Sequence, residues 1–103
     1  MDGYTFALHE KELNSGMMKT VHVGNKAIAL AKVDDEVFAI DDTCSHQECS
    51  LGSEGALDGN VVICGCHGGQ FDVTSGKVLA LPAVSDVASY PVKIVNGDVM
   101  IKV

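Results

Sequence analysis

Two short motifs place cysteine and histidine side chains at spacings that suit metal binding. The first is Cys44-Ser45-His46, and the second, after seventeen intervening residues, is Cys64-Gly65-Cys66-His67. Thiolates and neutral imidazoles are ligands that soft and borderline transition metals prefer. Residues i and i+2 of an extended segment point in roughly the same direction, so Cys44 and His46 can be presented together, and the same holds approximately for Cys64 and His67. The pattern predicts a metal site built from two segments.

The mixing of one cysteine with one histidine in each motif bears on which metal is bound. If both cysteines bind one iron and both histidines bind a second iron, the two segments hold a [2Fe-2S] cluster between them. A structural zinc ion is the alternative, because it accepts two cysteines and two histidines in tetrahedral geometry. Common zinc spacings place two cysteines together and two histidines elsewhere. The mixed motifs favour the diiron cluster, and a zinc-stabilised interaction module stays open.

An enzyme with its own substrate chemistry is the poorest fit to these residues. Cys66 and His67 could formally serve as nucleophile and base, but neighbouring residues on a chain rarely orient a thiol and an imidazole productively. No oxyanion-stabilising feature is visible, and the chain has no room for a separate mononuclear-iron domain. We therefore expect an electron carrier without catalysis of its own.

The motifs and their surroundings resemble those of the Rieske proteins, whose signature is Cys-x-His, a spacer of about this length, and Cys-x-x-His. The features that extend the resemblance over nearly the whole chain are Phe38-Ala39-Ile40, Gly68, Phe71-Asp72, Ser75-Gly76-Lys77 and Pro82. They look like Rieske ferredoxins of bacterial or archaeal type. The resemblance implies one Rieske [2Fe-2S] cluster whose ligands are Cys44, His46, Cys64 and His67.

The same resemblance implies what surrounds the cluster. A third segment near Leu81-Pro82-Ala83 would shield it, and the two histidine ligands would lie near the surface, where electrons leave. The resemblance places four residues around the cluster as shielding or docking positions, namely Gln47, Leu51, Gly68 and Pro82. Partner proteins would dock there transiently.

Two further cysteines and two missing hydroxyls refine the comparison. Cys49 and Cys66 resemble the disulfide-forming pair of Rieske proteins in cytochrome complexes, so we expect a bridge, with free thiols in a reducing cytosol as the alternative. Those proteins also have a serine and a tyrosine where this chain has Gly69 and Phe71. Hydroxyls there would stabilise the added electron, so their absence predicts a potential toward the lower part of the Rieske range.

The rest of the chain predicts the strands that must position these motifs. Alternating apolar residues indicate short strands, with Tyr4, Phe6 and Leu8 on one face of the first. Turn residues separate the runs, at Asn14-Ser15-Gly16, Gly24-Asn25, Asp34-Asp35 and Asn96-Gly97. No alternation is visible from Asp41 to Gly59, and Asp41-Asp42 is interpreted as turn chemistry at a solvated edge. The fold class is all-β, a Rieske-type antiparallel sandwich or barrel of short hairpins with a cluster-binding subdomain.

Length and charge limit the organisation and the partners. With 103 residues the chain suits a single domain over 1–103, with the cluster-binding loops within about 42–83. The net charge is −7 and lysines are not clustered, which argues against nucleic acid. An acidic surface suits transient docking on a basic surface, and a surface that only keeps the protein in solution is the open alternative. The N-terminal residues lack the pattern of a signal sequence or a membrane anchor, so a cytoplasmic protein is expected.

The sequence and the resemblance together predict a soluble one-electron shuttle. The donor, a flavin reductase, and the acceptor, a terminal oxygenase, follow from the resemblance alone. The competing hypothesis is that the chain is a redox-sensing or relay subunit of a larger complex. A monomer that reduces an added acceptor would favour the shuttle, and we expect a monomer.

Overall fold

The computed structural model describes residues 3–42, 50–65, 69–80 and 86–102. In these residues the chain forms short strands, one 3₁₀ turn at Glu10–Glu12 and one helical turn, α1, at Leu51–Glu54. The strands are β1 (Tyr4–His9), β2 (Met18–Val23), β3 (Lys26–Val33), β4 (Glu36–Asp41), β5 (Ala56–Asp58), β6 (Val61–Ile63), β7 (Gln70–Asp72), β8 (Val78–Ala80), β9 (Ser89–Tyr90), β10 (Val92–Val95) and β11 (Asp98–Lys102).

The strands form three antiparallel sheets, which confirms the predicted all-β class. The terminal sheet has the order β1-β11-β10, the middle sheet has the order β2-β3-β4-β9, and a third sheet has the order β5-β6-β7-β8. We call the third one the site sheet, because β6 leads directly into Cys64. Within the described residues, no helix is long and apolar enough to cross a membrane.

The predicted hairpin at the end of the chain is confirmed. Asn96 and Gly97 both have positive φ, at 52° and 81°, as the two central residues of a type I′ hairpin turn require. Strand β11 also pairs with β1, so the first strand joins the last and not its neighbour in sequence. A simple succession of local hairpins is therefore the wrong description of the terminal sheet.

The prediction that Tyr4, Phe6 and Leu8 share one face of β1 is also wrong. The pairing of β1 with β11 changes register between Phe6 and Leu8. A bulge of this kind inserts one residue and reverses the alternation of inward and outward side chains beyond it. As a result Leu8 is buried, whereas 46% of the Phe6 surface is exposed.

Three short elements have no counterpart in the sequence prediction. The segment from Asp41 to Gly59, where no alternation is visible, contains α1 and β5. The run from Tyr90 to Val95 is divided at Pro91, with Tyr90 in β9 paired to β4 and the rest in β10. Proline has no N–H to donate to a strand ladder, which explains a break at that position.

The middle sheet separates two apolar cores. Strand β3 is buried on both faces: Ile28 and Leu30 pack toward the terminal sheet, whereas Ala29 and Ala31 pack toward the site sheet. Successive side chains of a strand point to opposite faces, so one strand contributes to both cores. The core on the site side, which we call the site core, comprises Ala29, Ala31, Ile40, Leu51, Val62, Cys64, Phe71, Val73 and Val87.

Candidate metal centre

Cys64 is the predicted ligand that lies within the described residues. It directly follows β6, its side chain is buried in the site core, and its thiol is in no disulfide. Its backbone N–H donates to the carbonyl oxygen of Gly69 at 2.7 Å, which joins the two sides of residues 65–68. Cys44, His46 and His67 lie outside the described residues, in 43–49 and 66–68.

A buried thiol at this position suits a metal ligand. Ionising a thiol in an apolar core is unfavourable unless a positive charge lies beside it, and a bound metal ion supplies that charge and keeps the sulfur deprotonated. In the described part of the chain, no group of three or more His, Cys, Asp or Glu side chains could hold a metal ion. The described residues therefore contain one predicted ligand, Cys64, and the scaffold around it.

Three segments, 43–49, 66–68 and 81–85, carry the other predicted ligands and three of the four predicted shielding or docking residues. Leu51 comes shortly after the first of these segments, Cys64 shortly before the second, and Val87 shortly after the third. All three residues belong to the site core. The fold thus brings the described flanks of the three segments around one apolar cluster, although they are far apart in sequence.

The two flanks of residues 43–49 are joined through Asp42. This residue follows β4 and is only 4% exposed. Its Oδ1 accepts hydrogen bonds from the Thr20 hydroxyl and from the backbone N–H of Gly52, both at 2.8 Å. Its carbonyl oxygen accepts from the N–H of Leu51 at 2.6 Å, and the hydroxyls of Thr20 and Ser50 lie 3.1 Å apart. We call this set the Asp42 network.

The two flanks of residues 81–85 are joined by a second carboxylate. The N–H of Val78 donates to Oδ1 of Asp86 at 2.8 Å. Close by, the N–H of Val87 donates to the carbonyl oxygen of Gly76, also at 2.8 Å. These bonds connect the end of the third segment to the β7–β8 hairpin, on the site sheet.

Asp41 fixes the strand that follows the third segment. Its Oδ2 accepts from the N–H of Ala88 at 3.2 Å, and its Oδ1 accepts from the Tyr90 hydroxyl. Burial, together with the hydrogen bond and the negative charge of Asp41, raises the pKa of Tyr90 to about 12. The interpretation of Asp41-Asp42 as a solvated turn is therefore wrong: both carboxylates are structural acceptors. In the sequence, two aspartates at the end of a strand look the same whether their carboxylates are solvated or accept structural hydrogen bonds.

The Phe71-Asp72 and Ser75-Gly76-Lys77 features have a structural role beside the centre. Phe71 is fully buried in the site core. Oδ1 of Asp72 accepts from the N–H and the hydroxyl of Thr74, and the carbonyl oxygen of Asp72 accepts from the N–H of Gly76. A side-chain acceptor two residues before its donor is a common way to stabilise a tight turn. These residues shape the hairpin that supports Val87.

The predicted shielding and docking residues are described in part. Leu51 is fully buried in the site core and so is not part of an exposed surface, and its predicted role in shielding the cluster stays a prediction. Gln47, Gly68 and Pro82 lie outside the described residues, as do Cys49 and Cys66. The predicted bridge between those two cysteines stays a prediction.

Comparison with known proteins adds a family match and named relatives. The family described as "Rieske [2Fe-2S] domain" matches residues 3–91. The ferredoxin component of a naphthalene 1,2-dioxygenase/salicylate 5-hydroxylase system from Ralstonia sp. is 41% identical over 91 residues, which cover 88% of this chain and 86% of the relative.

Solved structures agree in fold. A Sphingomonas yanoikuyae B1 ferredoxin has a TM-score of 0.91 and 32% identity, and the match covers 97% of this chain and 98% of that one. A ferredoxin solved in complex with the oxygenase of carbazole 1,9a-dioxygenase has a TM-score of 0.90 and 31% identity, with 99% of this chain and 94% of that chain covered. Both relatives are of similar size to this chain.

Proposed function

Because the chain belongs to the Rieske [2Fe-2S] domain family, we propose that it is a one-electron carrier that accepts electrons from a reductase and delivers them to a terminal oxygenase. The observation that carries the proposal is the match, over most of this chain and most of each relative, to ferredoxin components of dioxygenase systems. The cofactor is one Rieske-type [2Fe-2S] cluster, which takes up and releases a single electron.

We further propose that Cys44, His46, Cys64 and His67 are the cluster ligands. The burial of Cys64 in the site core and the spacing of the two motifs support this set. Neutral imidazoles in place of two thiolates make the site less negative, so the potential should lie above that of an all-cysteine cluster. Gly69 and Phe71 offer no hydroxyl to the site, so we expect the potential in the lower part of the Rieske range.

The ligand set is tested by replacing each histidine in turn with cysteine. His46→Cys and His67→Cys should each lower the midpoint potential if iron is retained, because a thiolate adds negative charge at the site. His22→Cys is the matched control, since His22 is an exposed residue of β2. An unchanged potential in a loaded variant would remove that histidine from the ligand set.

The charge of the chain supports docking on a basic surface. Residues 43–88 carry five acidic side chains against Lys77 as the one lysine: Glu48, Glu54, Asp58, Asp72 and Asp86. Complementary charges speed the encounter of two proteins without making the complex long-lived, which suits a shuttle that must bind and leave. We propose that the partner surfaces are correspondingly basic, and that the carrier is a cytoplasmic monomer.

Electron delivery is tested by reconstitution. The iron-loaded chain is mixed with NADH, a flavin reductase and the terminal oxygenase of an aromatic-ring dioxygenase, and product formation is followed. We expect product only when the loaded chain is present, with Cys64→Ser as the control that should not retain the cluster. A chain that co-elutes with an oxygenase as a fixed stoichiometric subunit would contradict the proposed shuttle and favour the hypothesis of a relay subunit.

The state of Cys49 and Cys66 is tested separately. Thiol titration and intact mass of the denatured protein distinguish a bridge from two free thiols, with Cys49→Ser as the control. We propose the bridge; two titratable thiols beyond the ligand cysteines in protein purified without reductant would contradict it.

A further inference from the structure

We propose that Asp42 is a positioning residue for the cluster, and that it acts by fixing both flanks of residues 43–49 through the Asp42 network. The inference rests on the proposed function, because it takes Cys44 and His46 of that segment as ligands. It adds a role for a residue that lies outside the ligand set.

The geometry of the network supports this role. Asp42 precedes the segment, and Ser50, Leu51 and Gly52 follow it. The side-chain Oδ1 of Asp42 and its carbonyl oxygen accept from the N–H groups of Gly52 and Leu51, so two hydrogen bonds join the chain before the segment to the chain after it. The hydroxyl of Thr20 on β2 also donates to Oδ1 and attaches the junction to the middle sheet.

The burial of Asp42 makes the arrangement specific. A carboxylate that is 4% exposed is stable only when its hydrogen-bonding capacity is used, and the two donors at 2.8 Å meet that need. Among the described residues, Asp42 is the one polar or charged side chain that is buried. Replacing Asp42 alone by an apolar residue would take the acceptor away from the N–H of Gly52, so the carboxylate is best explained by the bonds it makes.

Gly52 gives independent support. A Cβ added at this position would overlap the Thr20 hydroxyl and lie 2.9 Å from Oδ1 of Asp42, closer than side-chain carbons normally approach. The helical turn α1 therefore comes close enough to donate its N–H to Asp42 because no side chain intervenes. The glycine at position 52 and the carboxylate of Asp42 are thus both needed for the hydrogen bond between them.

The expected consequence is on the cluster more than on the strands. Without the network the seven residues 43–49 lose two fixed ends, and the ligands they carry are held less well, while the sheet pairings do not depend on Asp42. We expect Asp42→Ala to lose iron to an external chelator about tenfold faster than the wild type, and Thr20→Val about fivefold faster. The EPR lines of the reduced protein should broaden in both.

Conservative variants separate positioning from simple destabilisation. Asp42→Asn keeps an Oδ1 acceptor and Thr20→Ser keeps the hydroxyl, so both should retain iron within about twofold of the wild-type rate. Asp58→Ala is the matched control, because Asp58 is an exposed acidic residue of the site sheet. The experiment uses the purified iron-loaded protein and follows visible bleaching with the chelator, EPR, and far-UV circular dichroism in parallel.

Each outcome decides the matter. Faster iron loss and broadened EPR lines in Asp42→Ala and Thr20→Val, with rescue by the conservative variants and an unchanged Asp58→Ala, supports the inference. Wild-type rates and line shapes in the two disruptive variants overturn it, and so does iron loss in the Asn and Ser variants equal to that in Ala and Val. If Asp42→Ala does not fold, Thr20→Val decides. A wild-type protein that never binds iron would instead overturn the proposed function.

Discussion

Two neighbouring carboxylates with different tasks show how much depends on single residues in this molecule. Asp41 and Asp42 follow each other at the end of β4, and successive side chains of a strand point to opposite sides. One therefore accepts from Ala88 and Tyr90, beyond the third segment, and the other accepts from Thr20 and Gly52, around the first segment. A pair of acidic residues thus ties two of the three segments to one strand.

The Tyr90–Asp41 contact predicts a pH dependence. The pKa of Tyr90 rises from its ordinary value of 10.0 to about 12, because burial and the Asp41 carboxylate disfavour the phenolate. The unfolded chain releases this proton near pH 10, so the contribution to stability is fully present below pH 10 and is lost as pH rises toward 12.

Carbon-13 NMR of the tyrosine ring tests this directly, because the chain has two tyrosines. The Cζ signal that disappears in Tyr90→Phe should titrate near pH 12 in the wild type. A midpoint near pH 10 for that signal would show that the contact with Asp41 is not formed in solution.

The buried aromatic residue of the site core predicts a large difference between two phenylalanines. Phe71 is fully buried, whereas Phe6 is 46% exposed. Phe71→Ala should lower the free energy of unfolding by about 3–5 kcal/mol, because it removes buried area and leaves a cavity. Phe6→Ala should cost less than about 1 kcal/mol. Urea unfolding followed by circular dichroism compares them, and equal effects would contradict the described packing.

At the level of secondary-structure elements, the turn residues in the sequence correctly predicted the hairpin turns, because a turn depends on the residues within it. Gly24, Asp34 and Asn96 adopt the positive φ values expected of hairpin turns, and the strands beside them form as predicted. The bulge in β1, the pairing of β1 with β11 and the two-residue strand β9 depend on partners distant in sequence. No periodicity within a short window contains that information, which explains why these features were missed.

For the candidate metal centre too, the sequence predicted the features that local motifs determine and not those that depend on distant contacts. The Cys/His spacing and the resemblance predicted the ligand set from sequence, and the family match agrees with the cofactor. The residues that join the flanks of the segments could not be predicted, because Thr20, Asp42 and Gly52 meet only after β2 and α1 are in place. A buried aspartate and a solvated aspartate look alike in sequence.

Two glycines with nearly equal φ angles test whether the β7–β8 turn contacts Val87, which follows residues 81–85. Gly76 and Gly97 have φ of 80° and 81°, but a Cβ on Gly76 would overlap the carbonyl oxygen of Val87, whereas a Cβ on Gly97 would meet nothing within 4 Å. Gly97→Ala should cost about 1–2 kcal/mol for its backbone conformation alone.

Gly76→Ala should cost a further ~1–3 kcal/mol, because the backbone at Val87 must shift to make room. The difference between the two midpoints of urea unfolding measures this excess. Equal costs for the two alanine variants would mean that the β7–β8 turn and Val87 are not in contact as described.

At the scale of the whole molecule, the middle sheet has an apolar core on each face, and the site core is one of the two. The chain as a whole carries a net charge of −7. The terminal sheet and the second core have no predicted ligand, so we assign them to stability. In the proposed function, the net charge guides the encounter of the whole molecule with a basic partner surface.

The charge predicts that electron delivery depends on salt. The second-order rate constant for oxidation of the reduced protein by a terminal oxygenase should fall about tenfold or more as salt rises from about 0.01 M to about 1 M, because the screening length shortens from ~30 Å to ~3 Å. Stopped-flow absorbance measures this rate. A rate that is constant or rises with salt would contradict electrostatic docking on a basic partner.

We propose that the chain holds one Rieske-type cluster with two cysteine and two histidine ligands. EPR of the dithionite-reduced protein, with iron and zinc analysis of the same sample, tests it most directly. We expect about two iron atoms per chain and a rhombic signal whose average g value is below that of all-cysteine [2Fe-2S] proteins. A colourless, EPR-silent protein loaded with zinc would contradict it and make the zinc-stabilised interaction module the better description.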